Sequence, residues 1–363
     1  MKIKSALISV SNKNKLSYIL KELKKYKIKL ISSGGTFKKI KSLGYSCIEV
    51  SDFTKFPEIL NGRVKTLHPK IHSGILYKRD NTSHKKILKK LNFESIDLVI
   101  TNFYPFEKII NQTKNSKKII ENIDIGGPTL VRSAAKNYKY VTVVTKIDDY
   151  QKLIHELKVF KGSTSLQFRE KMSKLAFGET ASYDLTIFNY FNKFSRKEIP
   201  EKLLFTTNLI QKLRYGENPH QLGAIYSNEK DFKLIKLQGK ELSYNNYNDI
   251  FACLNLSKTL PKNRGTVIVK HSNPSGVSIE ANHLKSYLSA MNCDPISAFG
   301  GIVACNYKVS LKIAEEIIKN YYEVIIANGF DKKAIKLFKS KKNLRLIDST
   351  QVTLKKCNKI ISG

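Results

Sequence analysis

Residues 123–137, which read IDIGGPTLVRSAAKN, combine an acid, two adjacent glycines and two bases in one short stretch. The glycines and the following proline predict a turn from a strand into a helix, where free backbone amides favour an anion or a polar substrate oxygen. Asp124 precedes the turn, and Arg132 and Lys136 share one face of the predicted helix. The stretch predicts a pocket where an acid and two bases converge. The alternative is a tight turn before a helix with a solvated basic face.

A second turn of small residues, SSGGT, offers hydroxyls and amides where another helix is predicted to begin. Its candidate residues are Ser33, Gly34, Gly35 and Thr36. Such a turn can bind a phosphate, because N–H groups at a helix start attract anions. The match to phosphate-binding fingerprints is loose, since neither G-x-x-x-x-G-K-[ST] nor G-x-G-x-x-G occurs here. A helix N-cap without a ligand, formed by Ser33 or Thr36, is the alternative.

Residues 61–74, NGRVKTLHPKIHSG, concentrate cationic and imidazole side chains on a predicted loop. These side chains belong to Arg63, Lys65, His68, Lys70 and His72. Their crowding indicates an anion site. The two histidines are spaced for a metal on a helix, but Pro69 opposes a regular helix there and no acidic third ligand stands nearby. We therefore expect histidines that pack within the loop, and no metal.

The second half of the chain places Lys270 and His271 at the end of a predicted strand within residues 266–277. A neighbouring lysine lowers the proton affinity of an imidazole and leaves it available as a base. The alternative is a strand-end pair in solvent. Polar groups beside glycine or proline recur in residues 214–221, 238–246 and 294–305, in the loop positions where site chemistry is usually placed.

Alternating strand and helix patterns indicate how these residues are positioned. Strands are predicted at residues 5–10, 27–35, 45–50, 97–102 and 140–145, and helices at 14–26, 36–44, 148–159 and 163–191. This order predicts an α/β fold with a doubly wound parallel sheet. The turns SVSNK, SSGGT, TNFYP and IDIGG would then share the carboxyl edge of the sheet, where ligands bind in such folds.

Composition bounds the molecule and its partners. The 363 residues suit two domains, and the five cysteines are odd in number and without a C-x-x-C pair, which argues against a disulfide framework or a zinc site. No long apolar run or signal peptide occurs, so we expect a cytoplasmic protein without a membrane partner. The net charge of +34 comes mostly from dispersed lysines. We expect anionic small substrates rather than specific nucleic acid.

Nine ordered blocks carry a family resemblance over nearly the whole chain. They are SVSNK, SSGGT, GRVKTLHPKIHSGIL, TNFYPF, ENIDIGGPTLVRSAAKN, LRYGENPHQ, LQGKELSYNN, KHSNPSGV and DPISAFGGIVA. In this set the chain resembles the bifunctional purine-biosynthesis family that combines AICAR transformylase with IMP cyclohydrolase. The resemblance implies a methylglyoxal synthase-like domain over residues 1–195, which closes 5-formamidoimidazole-4-carboxamide ribotide to IMP with loss of water. It also implies a partial cytidine deaminase-like transformylase domain over residues 196–363.

The resemblance further implies roles for residues of the first domain. Asp124 and Lys136 would handle the nucleophilic amide, while Lys65 and Tyr104 would polarise or protonate the formyl oxygen. The nucleotide would be held by Ser9, Ser11, Lys13, Ser33, Gly34, Gly35, Thr36, Arg63 and Thr66. The base would be framed by Thr101, Asn102, Ile125 and Gly126. Ring closure would need no cofactor.

For formyl transfer, the resemblance implies 10-formyltetrahydrofolate as co-substrate and a homodimer. His271 would act as base and Lys270 would stabilise developing negative charge. The matching ribotide-binding residues are Arg214, Tyr215, Asn245 and Phe299. Ser275 departs from the cysteine usual in the family's KHANPCG segment, and the family continues beyond Gly363, so we expect cyclohydrolase activity and a weakened transformylase. The alternatives are a non-catalytic nucleotide-binding remnant, a methylglyoxal synthase and a nucleic-acid-binding protein.

Overall fold

The chain forms two compact units with separate cores. The computed structural model describes residues 1–192, 201–227 and 234–352. The units are Met1–Phe205 and Thr206–Gly363. The predicted boundary between residues 195 and 196 lies outside the described residues.

The first unit is built on a five-stranded parallel sheet. Its strands are β1 (Ser5–Val10), β2 (Lys29–Ser32), β3 (Ile48–Glu49), β4 (Leu98–Asn102) and β5 (Thr142–Val144). The order β3-β2-β1-β4-β5 confirms the predicted doubly wound sheet. The winding direction reverses between β1 and β4, where Ser9 pairs with Thr101 and Val10 with Asn102. Ligands of doubly wound folds bind at this reversal point, beyond the carboxyl ends of the strands.

Helices cover both faces of this sheet, and short 3₁₀ turns occur at Leu60–Gly62, between α3 and α4, and at Ile147–Asp149, before α9. They are α1 (Leu16–Lys25), α2 (Gly34–Ser42), α3 (Val50–Thr54), α4 (Pro69–Leu76), α5 (Thr82–Lys90), α6 (Phe106–Gln112), α7 (Ser116–Glu121), α8 (Gly126–Lys136), α9 (Tyr150–Val159) and α10 (Leu166–Asn192). The α8 side chains of Leu130, Val131, Ala134 and Ala135 are fully buried in the core. This burial fixes the direction in which the amino end of α8 points.

The longest helix, α10, packs against α8 and β5. It has 27 residues, but charged side chains such as Arg169, Glu170 and Lys174 recur along it. The Arg169 guanidinium is buried and donates to the carbonyl oxygens of Tyr138, Lys139 and Thr164. Among the helices of the described chain, none combines the length and apolarity that a bilayer crossing requires.

Three local predictions for the first unit were wrong. The predicted third strand is reduced to Ile48–Glu49, because Val50 already begins α3. Pro69 does not prevent a helix but begins α4, where the missing N–H of the first position costs no hydrogen bond. The chain does not enter α8 from a strand, since the fully described residues 122–125 form a loop between α7 and α8.

The second unit contains a six-stranded mixed sheet and a two-stranded hairpin. The hairpin pairs β6 (Asn208–Lys212) with β7 (Ala224–Ser227). The sheet strands are β8 (Ile235–Gln238), β9 (Gly265–Lys270), β10 (Asn273–Ile279), β11 (Ile302–Cys305), β12 (Val324–Ala327) and β13 (Arg345–Asp348). In the order β10-β9-β11-β12-β13-β8, the β11, β12 and β13 strands are mutually parallel and the remaining pairings are antiparallel.

Alternating side chains of these strands enter two cores on opposite faces of the sheet. The helices are α11 (Tyr244–Thr259), α12 (His283–Cys293), α13 (Pro295–Ala298), α14 (Leu311–Ile317) and α15 (Lys332–Phe338). One face packs against α11 through Val267, Val269 and Ile302. The other packs against α12, α14 and α15 through residues that include Ile268 and Val303. Successive side chains of a strand point to opposite faces of the sheet, and both faces are buried here. The strands are therefore apolar at consecutive positions.

Candidate active site

A pocket of about 610 Å³ opens at the carboxyl ends of β1 and β4 in the first unit. Its walls come from the turns after β1, β2 and β4, the Leu60–Gly62 turn and the start of α8. The predicted site residues that line it are Ser9, Ser11, Lys13, Ser33, Gly34, Gly35, Thr36, Arg63, Lys65, Thr66, Asn102, Tyr104, Asp124, Ile125 and Gly126. The doubly wound topology thus brings residues more than a hundred positions apart in the chain to one edge.

Two predicted residues, Lys136 and Thr101, are not among the described residues that line this pocket. Lys136 is the last residue of α8. It lies ten positions after Gly126, a distance of about 15 Å along the helix axis. Thr101 is buried within β4, and no described residue bonds its hydroxyl. Arg132 lies with its guanidinium 5.8 Å from the Phe177 ring. The structure therefore does not bring the acid and the two bases of residues 123–137 together.

The amino end of α2 forms a cationic cradle between two lysines. In the described chain, the N-cap Ser33 side chain forms no hydrogen bond to the helix amides, and the first turn of α2 holds no acidic residue. A Cβ atom on Gly35 would lie 3.7 Å from Lys13 Nζ, and one on Gly34 would lie 3.4 Å from Lys65 Nζ. Free amides, the helix dipole and two ammonium groups therefore converge on one point, which suits a phosphate.

Thr36 ties this cradle to the sheet and does not cap its own helix. Its hydroxyl donates to the carbonyl oxygen of Val10 at 2.9 Å and accepts from the Val10 amide at 3.1 Å. Ser33 occupies the N-cap position, as the alternative predicts, but its side chain makes no capping bond, and Thr36 lies inside α2. The α2 amides remain directed into the pocket.

Lys65 is held by a partner that sequence reasoning missed. Its Nζ lies 2.7 Å from Glu58 Oε1. A Cβ atom on Gly62 would stand 2.4 Å from both Glu58 Oε1 and Lys65 Cε, and the Gly62 φ of +87° is a conformation that favours glycine. Gly62 therefore leaves the room in which Glu58 and Lys65 meet. The seven-residue separation of this pair on a loop gives no recognisable sequence signal.

Asp124 lies in the loop before α8 and is held there by hydrogen bonds. Its Oδ1 accepts the Gly127 amide at 2.8 Å, and its own amide donates to the Tyr183 hydroxyl at 2.8 Å. Burial raises the pKa of the Asp124 carboxyl, and hydrogen bonds from the amides of Gly127 and Tyr104 only partly offset that effect. The result is a carboxylate with increased proton affinity at the edge of the pocket.

Two exposed side chains, one aromatic and one apolar, line the pocket together with Asp124. The Tyr104 side chain is 49% exposed and that of Ile125 is 59% exposed. Both line the pocket. Asn102 is engaged with the loop after β1, because its side chain exchanges hydrogen bonds of 2.8 and 2.9 Å with the backbone of Asn12. A planar heterocycle can contact Ile125 and Tyr104 without displacing any core residue.

An ion pair joins the two sides of the pocket. The Arg63 guanidinium makes a two-point contact with the Glu121 carboxylate, one bond of which measures 3.0 Å between Arg63 Nε and Glu121 Oε1. Both side chains are exposed and line the pocket. The pairing raises the pKa of Arg63 and lowers that of Glu121. The Nη1 group of Arg63 takes no part in this pair and is left to donate to an anionic ligand.

The two histidines of residues 61–74 hold local structure. His68 is the N-cap of α4, and its Nδ1 accepts the Lys70 amide at 3.0 Å. His72 Nδ1 lies 3.1 Å from the Ser133 hydroxyl oxygen, and burial lowers the pKa of both imidazoles. Across residues 1–192, 201–227 and 234–352, no cluster of three potential metal ligands occurs.

In the second unit, Lys270 and Phe299 come together. Lys270 Nζ donates to the Phe299 carbonyl oxygen at 2.8 Å, and the exposed Phe299 ring packs 5.2 Å from that of Tyr321. His271 follows at the end of β9 with a φ of +51°, a strained conformation for a non-glycine residue. The Ser275 hydroxyl bonds the Ile268 carbonyl oxygen at 3.4 Å within the same hairpin.

The other predicted residues of this unit lie on separate elements. Arg214 and Tyr215 contact each other, with the guanidinium 5.7 Å from the ring. Asn245 lies in the first turn of α11, where the next residue, Asn246, donates to Glu323 Oε2 at 2.7 Å. Glu323 also lines a cavity of about 390 Å³ at the amino ends of β12 and β13. This carboxylate is a second site candidate that sequence reasoning missed.

Comparison with known proteins matches both parts of the chain. Residues 134–362 match the family model described as AICARFT/IMPCHase bienzyme, and residues 15–129 match the MGS-like domain. Similar curated proteins, each called bifunctional purine biosynthesis protein PurH, occur in Thermoanaerobacter sp. (strain X514) and Persephonella marina, both 46% identical, and in Acetivibrio thermocellus, 43% identical. The alignments cover 95%, 95% and 97% of this chain and 68%, 68% and 70% of those proteins.

Proposed function

The chain belongs to the AICARFT/IMPCHase bienzyme family, and we propose that the pocket of its first unit is where the formylated ribotide closes to IMP. The protein is a bifunctional enzyme of purine biosynthesis, with IMP cyclohydrolase and AICAR formyltransferase activities. The observation that carries the proposal is the convergence of Lys65, Tyr104 and Asp124 on one pocket beside an anion cradle.

Ring closure makes three chemical demands on such a pocket. A carboxamide nitrogen is a weak nucleophile, so it needs a proton acceptor as it attacks the formyl carbon. The formyl oxygen gains negative charge and needs a donor, and the resulting hydroxyl needs an acid to leave as water. Holding both groups in one bound molecule near attack geometry lowers the barrier further.

We assign these demands to the residues that line the pocket. Asp124 accepts the proton from the carboxamide nitrogen, and its increased proton affinity suits a base. Lys65 and Tyr104 stabilise the formyl oxygen and supply the proton with which water departs. Because α8 carries Lys136 out of this group, a role for Lys136 stays a prediction of the family resemblance.

The amino end of α2 is the proposed site of the 5′-phosphate. Gly34 and Gly35 allow close approach to the amides, and Lys13 adds charge. The remaining polar side chains of the lining would bind the ribose and the base, with Ile125 against the ring. Ser9, Ser11 and Thr66 are the hydroxyl-bearing members of this set.

For formyl transfer we propose 10-formyltetrahydrofolate as the donor and His271 as the base, with Lys270 stabilising developing charge. The bond between Lys270 and the Phe299 carbonyl oxygen supports a common location for Lys270, His271 and Phe299. Arg214, Tyr215 and Asn245 would bind the ribotide. We further propose a homodimer that acts in the cytoplasm on small-molecule ribotides, without a specific nucleic-acid or membrane partner.

The two reactions provide a test by separation of function. Lys65→Ala is expected to slow closure of the formylated ribotide at least tenfold, because a donor to the developing oxyanion is lost, and to leave formylation of AICAR unchanged. His271→Ala is expected to have the opposite pattern. The measurement is IMP formation in one reaction and release of tetrahydrofolate in the other. Unchanged ring closure by Lys65→Ala would contradict the site.

A further inference from the structure

We propose that Tyr183 is a positioning residue for ring closure, because its hydroxyl fixes the loop that directs the Asp124 carboxylate into the pocket. The inference rests on the proposed role of Asp124 as base. Tyr183 does not line the pocket, and it is separated from Asp124 by 59 positions in the sequence. Its effect would therefore act through Asp124.

The Tyr183 side chain is held rigidly where it meets the loop. It is 9% exposed and lies on α10, with its ring centroid 5.0 Å from that of Phe103 and 6.3 Å from that of Phe106. Tilted and edge-on aromatic contacts of this kind restrict both side-chain torsions. Burial raises the pKa of Tyr183 to about 12, so the hydroxyl stays neutral over the working pH range.

Two of the hydrogen bonds on this loop act on different atoms of Asp124. The Gly127 amide holds the carboxylate through Oδ1, whereas the Tyr183 hydroxyl holds the backbone by accepting the Asp124 N–H at 2.8 Å. A partly buried amide without a partner is unfavourable, so loss of the hydroxyl favours a loop that moves toward water. Such a movement carries the carboxylate away from its position in the pocket.

Tyr183 lies in the part of the chain that matches the bienzyme family model. The match to the MGS-like domain ends at residue 129, whereas α10 falls within the residues matched by the AICARFT/IMPCHase model. The strands β2, β3 and β4 lie within the MGS-like match, whereas the helix that supplies the Tyr183 hydroxyl lies outside it. This arrangement fits a role in positioning the base for ring closure.

The test uses Tyr183→Phe in the full chain, which removes the hydroxyl and keeps the ring. We expect kcat for ring closure to fall about tenfold, the effect of one lost hydrogen bond at the base, with KM changed less than about twofold. The acidic limb of the kcat profile should move to lower pH, because a better hydrated Asp124 carboxyl ionises more readily. Rates are normalised to the number of IMP-binding sites, so a partly folded preparation does not mimic the effect.

Tyr190→Phe is the matched control, since Tyr190 lies about two turns further along α10 and its change leaves the Asp124 bond intact. We expect it to retain the wild-type kcat and pH profile. Wild-type kcat and profile in Tyr183→Phe, or an equal loss in both variants, would overturn the inference. Asp124→Asn distinguishes failure of the proposed base from failure of the positioning role. Normal ring closure by Asp124→Asn would show that the proposed base is wrong. Loss of ring closure in Asp124→Asn with normal closure in Tyr183→Phe would show that only the positioning role is wrong.

Discussion

At the scale of single residues, the space beside Asp124 depends on a missing side chain. A Cβ atom on Gly127 would lie 2.6 Å from Asp124 Oδ2. Gly127→Ala is therefore expected to displace the carboxylate while α8 still forms, since alanine favours a helix. We predict a loss of at least tenfold in kcat for ring closure with no loss of cooperative thermal unfolding, measured by steady-state kinetics and calorimetry.

Gly178 provides the control for this substitution. It lies within α10, and a Cβ atom there would meet no described atom within 4 Å. Gly178→Ala should raise the free energy of unfolding by about 0.5–1 kcal/mol, the difference in helix propensity, and leave kcat unchanged. A Gly127→Ala variant with wild-type kcat would show that the Asp124 position does not limit the reaction.

The raised pKa of Asp124 also predicts a stability effect. A carboxyl that ionises less readily in the folded state binds more protons there than in the unfolded state, so stability falls as pH rises from the unfolded pKa through the folded one. Asp124→Asn removes this cost at neutral pH and its Oδ1 can still accept the Gly127 amide. We expect a higher midpoint of thermal unfolding than wild type at pH 7, and a difference that shrinks as pH falls through the folded pKa and is lost near the unfolded value of 3.8.

At the scale of secondary structure, the α2 cradle should contribute to ribotide binding more than to chemistry. Lys13→Ala removes an ammonium group near Gly35 and is expected to raise KM for the formylated ribotide about tenfold, as loss of a charge-assisted hydrogen bond does. The kcat should stay within about twofold. Lys38→Ala, at an exposed position of α2 outside the pocket lining, is the control and should leave KM unchanged.

The elements also show what a single sequence can predict. The strand Ser5–Val10 was predicted with its observed bounds, because six consecutive apolar or small residues before a polar turn fit a buried strand and little else. The strand predicted before Gly126 was wrong. Ile123 and Ile125 are apolar and β-branched, as strand residues often are, but they lie in a loop and line the pocket. Local apolarity does not distinguish a buried strand from an apolar ligand surface.

The contacts that orient the catalytic groups were not predictable in this way. Glu58 beside Lys65, Glu121 beside Arg63 and Tyr183 beside Asp124 are set by tertiary packing across 7, 58 and 59 positions. Their residue types carry no motif of their own. By contrast, most pocket residues came from glycine-rich and polar turns at strand ends, whose shared edge follows from the doubly wound topology.

At the scale of the whole molecule, the net charge of +34 should attract anionic ribotides over a distance that salt controls. We predict that KM for the formylated ribotide rises severalfold between about 0.05 and 0.5 M ionic strength, since the Debye length shortens by a factor of about three. The kcat should change less than twofold. Equal salt effects on kcat and KM would show that the field acts on the chemical step or on stability instead.

If IMP forms in the first-unit pocket, a crystal structure of the chain with bound IMP should show the nucleotide there. We expect phosphate density within hydrogen-bonding distance of the Gly34 and Gly35 amides and beside Lys13, with the purine near Lys65, Asp124 and Tyr104. Density for IMP elsewhere, with this pocket empty at saturating ligand, would contradict it.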